Sequence, residues 1–463
     1  MVVLEIFSGV DQGLYAPLFN VIGKEFGVSP GDLVWVASLP LLFGAMTVPL
    51  LSRLGDMYGH RMMLRISAAI ALFASICMAV APTYGIFLIG RTFQGVISVW
   101  LPLEIAIVTT LFSTMDARRT IGLLAGTLTF GVAAGSLAGG YIYDWTGSLR
   151  FTLWVPVVLV IACCVATWFI PESTARAPRN LDIPGFAGLA LGIALLQFAL
   201  FQAPRQGWGS TIVVSLLATG LIVILLWILW ELKTKEPAID VRMLSVRTMW
   251  PMQLSAMFFG MAMYGNQASI VQFLGASQEK VGYGFDLDPR TLALVVLPSA
   301  VVGAFGAANS ARMSRRIGLR LLAQIAAATV AAGFLSLTLF HSSISMVVVA
   351  TIIFGGGFGV LMGSIPSLIS EQAPKDSVGL AAGMYNSVRV LGGALIGGVF
   401  AAVLQSMLVT GTKIPTVDAY KVIWIGCAIL AILVAALISF GPRSATQDEE
   451  EEVVPELRGN LAG

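Results

Sequence analysis

Five ionisable residues stand inside long apolar runs of this 463-residue chain: Glu5, Asp11, Arg91, Glu104 and Arg389. Charge in an apolar phase is costly, so such residues face a water-filled cavity or a partner. A carboxylate in an intermittently wet cavity can take a proton from one side and release it to the other, which makes Asp11 and Glu104 candidate proton carriers. A rise of about 1.5 Å per helical residue puts Glu5 roughly 9 Å from Asp11 on a different face, so Asp11 is the better cavity candidate. Its alternative is a structural partnership with an arginine or serine. Arg91 cannot shed its proton, so it can tune a neighbouring carboxylate or form an ion pair but cannot be the carrier. Glu104, one turn from Trp100, either meets a cationic substrate or pairs within the bundle.

Arg91 shares one helix face with Gln94, Gly95 and Pro102, a polar stripe on an apolar helix. Further along, Gln253, Tyr264, Asn266, Gln267 and Gln272 give a single run more amide than a lipid-facing helix tolerates. They line a central cavity or hydrogen-bond between helices. Arg389 fits either a cavity wall or a buried ion pair. His341 reads as a surface residue.

The elements that hold these residues follow from composition. The chain is 57% hydrophobic and 11% charged, with a mean hydropathy of +0.87, far from soluble norms. Apolar runs near 20 residues long recur throughout, enough for helices to cross a hydrocarbon core about 30 Å thick. They fall at 2–23, 33–52, 62–82, 84–112, 119–143, 150–170, 184–203, 211–231, 249–275, 291–311, 318–340, 344–370, 378–409 and 419–441. The expected fold is therefore an all-α polytopic membrane protein with 14 spans, grouped as six, two and six. Its units are an N-terminal bundle over 1–172, two linker helices within 173–247, a C-terminal bundle over 248–442 and an acidic, disordered tail over 443–463. Eighteen Lys and Arg lie in alternate loops and the tail against seven in the opposite loops, which places both termini in the cytoplasm.

Composition also excludes partners. A net charge of +2 without a long basic run gives no basis for nucleic-acid binding. All four cysteines lie in apolar runs, where a thiol packs as a small hydrophobe. No metal-ligand spacing, nucleotide loop or nucleophile–base pair stands in the context its chemistry needs, so neither an enzyme nor a cofactor is expected.

The turn "LSRLGDMYGHRM" between the second and third spans has Ser52, Leu54, Asp56, Gly59, Arg61 and Leu64 at telling offsets. It resembles the G-x-L-a-D-r-x-G-r-k-x-x-l motif of the major facilitator superfamily, with Ser52 and His60 as departures. A weak echo, "ARMSRRIGLRLL", with Gly318 in the place of Gly59, follows the second span of the last six. "DQGLYAPLFNVIGKEFG", "GRTFQGVISVWLPLE" and "GVAAGSLAGG" resemble motifs of the fourteen-span drug:proton antiporter branch, and "GYGFDLDP", "LPSAVVGAF" and "GMYNSVRVLGGALIGG" resemble bacterial, especially actinobacterial, members. Pro40 stands where that branch usually has tyrosine, and Ser136 where its signature has proline. Gly131, Gly135, Gly139 and Gly140 form a small-residue seam that packs helices or flexes between bundles.

The resemblance implies two six-helix bundles rocking about a midplane cavity in a bacterial plasma membrane. It implies proton-coupled efflux of hydrophobic drugs or antibiotics, cationic ones included, with the proton on Asp11 or Glu104. It also implies a cytoplasmic gate in which Asp56 meets the helix start near 377–380, Gly59 lets the turn pass close, and Arg61 binds anionic lipid or a neighbouring carboxylate. A metabolite symporter of the same fold and a non-transporting receptor or assembly factor remain alternatives. The expected partners are a small molecule, protons and the bilayer, and a monomer is the expected state. Relatives carry more chain ahead of the residue matching Asp11, so the natural start is expected upstream of Met1.

Overall fold

The computed structural model describes residues 1–112, 114–172, 182–234, 242, 249–372, 378–412 and 414–440. The interbundle links over 173–181 and most of 235–248, and the acidic tail, lie outside them. Seventeen helices follow in order: α1 Val2–Leu14, α2 Phe19–Phe26, α3 Pro30–Tyr58, α4 His60–Ala79, α5 Tyr84–Gln94, α6 Trp100–Leu111, α7 Thr114–Thr146, α8 Leu149–Ala166, α9 Ile183–Gln206, α10 Thr211–Lys233, α11 Trp250–Leu274, the short α12 Gln278–Val281, α13 Pro289–Ile317, α14 Leu319–Leu339, α15 Ile344–Gln372, α16 Val378–Ser406 and α17 Val417–Phe440. The pairs α1–α2 and α5–α6 each make one broken span and the four-residue α12 is too short to cross, which among the described residues gives the fourteen expected. Among the described residues, eleven helical stretches are long and apolar enough to cross a membrane by length and composition. Among the described residues β pairing is limited to an isolated bridge between Leu408 and Pro415.

Both breaks have local causes. Pro17 has no amide N–H to donate, and a 3₁₀ turn over Ala16–Leu18 separates α1 from α2. Gly95–Val99 forms a second 3₁₀ stretch between α5 and α6, where Gly95 lies directly on the Pro40 carbonyl with no room for a Cβ. The motif turn and its echo end alike: Gly59 and Gly318 have φ of +116° and +81°, a region that side-chain-bearing residues rarely enter.

The first six spans pack together and so do the last six. The halves meet along α3 with α16 and α7 with α13, while α9 and α10 pair and lean on α16. Gln197 on α9 donates to the Ala394 carbonyl on α16. Large apolar side chains such as Leu221, Leu225, Phe305 and Phe169 project outward, as a lipid-facing surface requires.

The glycine seam divides its work. A Cβ on Gly135 would strike the Val10 carbonyl and one on Gly13 the Val132 carbonyl, so α1 and α7 touch backbone to backbone. Gly131 and Gly139 also face α1, in their own half; Gly140 alone of the four turns to the other half, against Pro289 and Ala293.

At the end of the bundle away from the termini, polar contacts tie the halves. Asp32 on α3 receives Arg205 of α9 at 2.6 Å and Gln405 of α16 at 3.3 Å. Arg290 on α13 reaches Asp144 of α7 at 3.3 Å and lies over the Tyr141 ring. Beside it Asp288 caps α13, accepting from the Thr291 hydroxyl at 2.6 Å and its amide at 3.1 Å. The Thr291 hydroxyl, with that amide, holds the Asp288 carboxyl below the usual carboxylate range.

Candidate functional site: a central cavity between the halves

A cavity of about 330 Å³ lies between the two halves. The first half contributes Glu5, Ser8, Asp11, Gln12, Tyr15, Arg91 and Gln94 to its wall; the second contributes Tyr264, Gln267, Ser299, Phe358, Met362, Asn386 and Arg389. Gln267 Nε2 donates to the Gln12 carbonyl at 3.3 Å, bridging the halves. Of the residues expected there, Gln94, Tyr264, Gln267 and Arg389 are on the wall, and Trp100, Gln253 and Asn266 are not. Trp100 is fully buried within the first half, packed on Phe7 with its indole N–H on Ser67 Oγ at 2.9 Å. Gln253 is fully buried near the start of α11. Asn266 turns back along its own helix, accepting from Ser269 Oγ at 3.1 Å through its side chain. Helical periodicity gives the angle between these residues but not the neighbour each face meets.

Asp11 sits in a closed network. Arg91 Nη1 donates to its Oδ2 at 3.0 Å and Gln94 Nε2 to its Oδ1 at 2.8 Å. Gln94 also reaches Ser75 Oγ at 3.2 Å. Arg91 Nε donates to the Val36 carbonyl at 3.0 Å. That carbonyl is available because Pro40, four residues on, has no N–H to give it. The guanidinium lies 4.0 Å above the Tyr15 ring. Four elements, α1, α3, α4 and α5, are thereby fastened at one buried ion pair.

Glu5 and Glu104 are the opposite case. Both are fully buried, and among the described residues no oxygen of either carboxylate has a hydrogen-bond partner. They lie near enough for their charges to interact. Glu5 is on the cavity wall, and Glu104 stands behind it on α6. Glu5 was the weaker candidate by sequence because its face differs from that of Asp11. No signal in the sequence separates it, because pairing each intramembrane carboxylate with Arg91 or Arg389 takes the folded chain.

Arg389 is 8% exposed. Its Nη2 donates to Asn386 Oδ1 at 2.8 Å, its Nη1 lies 2.9 Å from Met362 Sδ, and its Nε has no partner. The Tyr264 and Tyr385 rings each stand 5.6 Å from the guanidinium carbon.

The motif turn lies at the end of the bundle that carries the amino terminus. His60 Nε2 is 3.0 Å from Asp56 Oδ1. Glu172 reaches under Gly59, accepts from the Arg61 amide at 3.1 Å and pairs with its guanidinium at 3.7 Å. Arg61 thus has a neighbouring carboxylate, one of its two expected partners. The helix start expected to receive Asp56, 377–380, lies outside the residues whose side chains are described. Among the described residues no cluster of His, Cys, Asp and Glu is arranged to hold a metal.

Two helical halves around a central cavity lead to a comparison with known proteins. The family model described as Major Facilitator Superfamily matches residues 1–397. The chain belongs to that superfamily. As a facilitator, it is a membrane transporter of small molecules. It is similar to the multidrug transporter protein MdtP of Bacillus subtilis, 23% identical over 90% of this chain and 77% of the relative. It is similar also to the cephamycin export protein CmcT of Amycolatopsis lactamdurans, 25% identical over 92% and 87%. Among solved structures, a D-xylose–proton symporter shares the fold at a TM-score of 0.67 and 12% identity, covering 96% of this chain and 97% of its own.

Proposed function

We propose that this facilitator exports hydrophobic drugs or antibiotics across a bacterial plasma membrane in exchange for protons, with both termini in the cytoplasm. The names of the relatives above support export. The coupling rests on one observation, the buried Glu5–Glu104 pair, with Glu5 on the cavity wall, Glu104 behind it and no hydrogen-bond partner for either carboxylate among the described residues. A carboxylate so placed avoids an uncompensated buried charge by holding a proton, and two at close range cannot both ionise. Water or substrate entering the cavity changes that balance. Asp11, the other sequence candidate, already has Arg91 and Gln94, so the proton is carried by Glu104 with Glu5, and the Asp11–Arg91 pair keeps the neighbouring helices in register. Rocking of the halves about α3–α16 and α7–α13 exposes the cavity to each side in turn.

Everted vesicles with an acid interior test the function. Fluorescent hydrophobic compounds, neutral, cationic and anionic, are offered outside; export predicts that at least one accumulates as the pH gradient is consumed, and that a protonophore abolishes accumulation. Substrate leaving the vesicles with protons would establish the symporter instead.

The motif turn acts as the cytoplasmic gate in this reading. A carboxylate at a helix N-terminus gains about 0.3 to 2 kcal/mol, enough to bias two near-equal states several-fold. Asp56→Asn is expected to raise cysteine labelling of the cytoplasmic cavity and slow turnover, with substrate affinity kept. Labelling no greater than in the unmutated protein leaves Asp56 only its His60 contact.

A further inference from the structure

On the cavity wall the charges do not cancel uniformly. Asp11 and Arg91 neutralise each other at 3.0 Å, and Glu5 is set in the first half with Glu104 behind it. Arg389, on the opposite wall, has no carboxylate partner among the described residues. Its contacts are a neutral amide oxygen, a thioether and two aromatic rings. An arginine stays protonated in any environment a protein offers. A buried cation left without an anion is costly, and that cost is recovered when an anion arrives. Two further polar atoms stand idle close by, Arg389 Nε and the buried Tyr385 hydroxyl. A guanidinium presents its N–H groups in a planar fork suited to a carboxylate or sulfonate. The two tyrosines supply aromatic surface around it, and Phe358 lines the same cavity.

We propose that Arg389 is an anion subsite within the transport cavity, receiving the single acidic group of a transported molecule whose aromatic or apolar body lies against Tyr264 and Phe358. This rests on the export reading for the claim that the occupant is a transported molecule, but the binding itself does not depend on direction or on protons. It changes the expected substrate from a hydrophobic cation to a hydrophobic acid or a zwitterion. In a zwitterion the amine would face Glu5 while the acid faces Arg389.

A matched pair of probes isolates the charge: 8-anilinonaphthalene-1-sulfonate and N-phenyl-1-naphthylamine, the same aromatic body with and without an acid. Saturable binding to the purified protein in lipid nanodiscs, with empty nanodiscs subtracted, is measured for the wild type, Arg389→Gln and Arg389→Lys. The wild type is expected to prefer the sulfonate. Arg389→Gln should weaken the sulfonate about tenfold or more, the range of a charge-assisted hydrogen bond, and leave the neutral probe unchanged, which also reports an intact cavity. Arg389→Lys should keep most of the preference. Equal weakening of both probes by Arg389→Gln would make Arg389 a structural element and overturn the subsite, as would no loss for either probe or no saturable sulfonate binding by the wild type. If the preference holds while everted vesicles show no proton-driven uptake, the export reading fails and the subsite stands.

Discussion

Glu104→Gln is expected to abolish accumulation of substrate against its gradient while leaving the protein folded and at least as stable as the wild type. Truncating most buried polar groups strands a partner, but neither Glu104 oxygen has a hydrogen-bond partner to strand. The amide has nearly the same shape and removes a group whose ionised form is costly in this interior. What it cannot do is take and release a proton. Glu5→Gln should give the same phenotype, and the double variant should be no worse than either, because two interacting carboxylates titrate as one unit. Exchange of labelled for unlabelled substrate, which needs no net proton movement, should survive in all three. Uphill uptake in everted vesicles and thermal unfolding in detergent measure the two halves of the prediction. Wild-type uphill uptake by Glu104→Gln would return the proton to Asp11.

Asp11→Asn is expected to fail differently, through the fold. The amide fits the space, and by shape alone the variant should be benign. The structure gives Asp11 a buried guanidinium at 3.0 Å and an amide donor at 2.8 Å. Removing the charge leaves Arg91 buried without its anion, a change that costs about 3–5 kcal/mol in comparable sites. Much of that loss should be regained in Asp11→Asn with Arg91→Gln, where neither charge remains. Denaturation of the two variants beside the wild type is the measurement. A single variant as stable as the wild type would show that the pair is not what fastens α1, α3, α4 and α5, and a double variant less stable than the single would say the same.

Architecture was legible in composition and spacing. Apolar runs of bilayer length can satisfy their backbone hydrogen bonds in lipid only as helices, so fourteen spans could be read from composition and spacing before any contact was known. The sequence also marked Glu5, Asp11, Arg91, Glu104 and Arg389, because a charge in such a run always needs an explanation. The repeat of Gly59 at Gly318 was legible for a similar reason, since a tight turn between two helices calls for a residue that accepts positive φ.

Pairing was decided by tertiary structure alone. Asp11 and Arg91 are 80 positions apart, and their contact depends on a proline on a third helix that frees the Val36 carbonyl for Arg91. Trp100, Gln253 and Asn266 have side chains suited to a cavity, yet none is on its wall, because helical periodicity fixes angles within a helix and packing fixes what lies opposite. The same limit hid the difference between two kinds of buried charge. Asp11 is satisfied, whereas Glu5, Glu104 and Arg389 lack a counter-ion among the described residues, and the cost of a buried charge depends on the atoms within a few ångströms of it. Those atoms come from helices distant in sequence, so only the folded chain determines them.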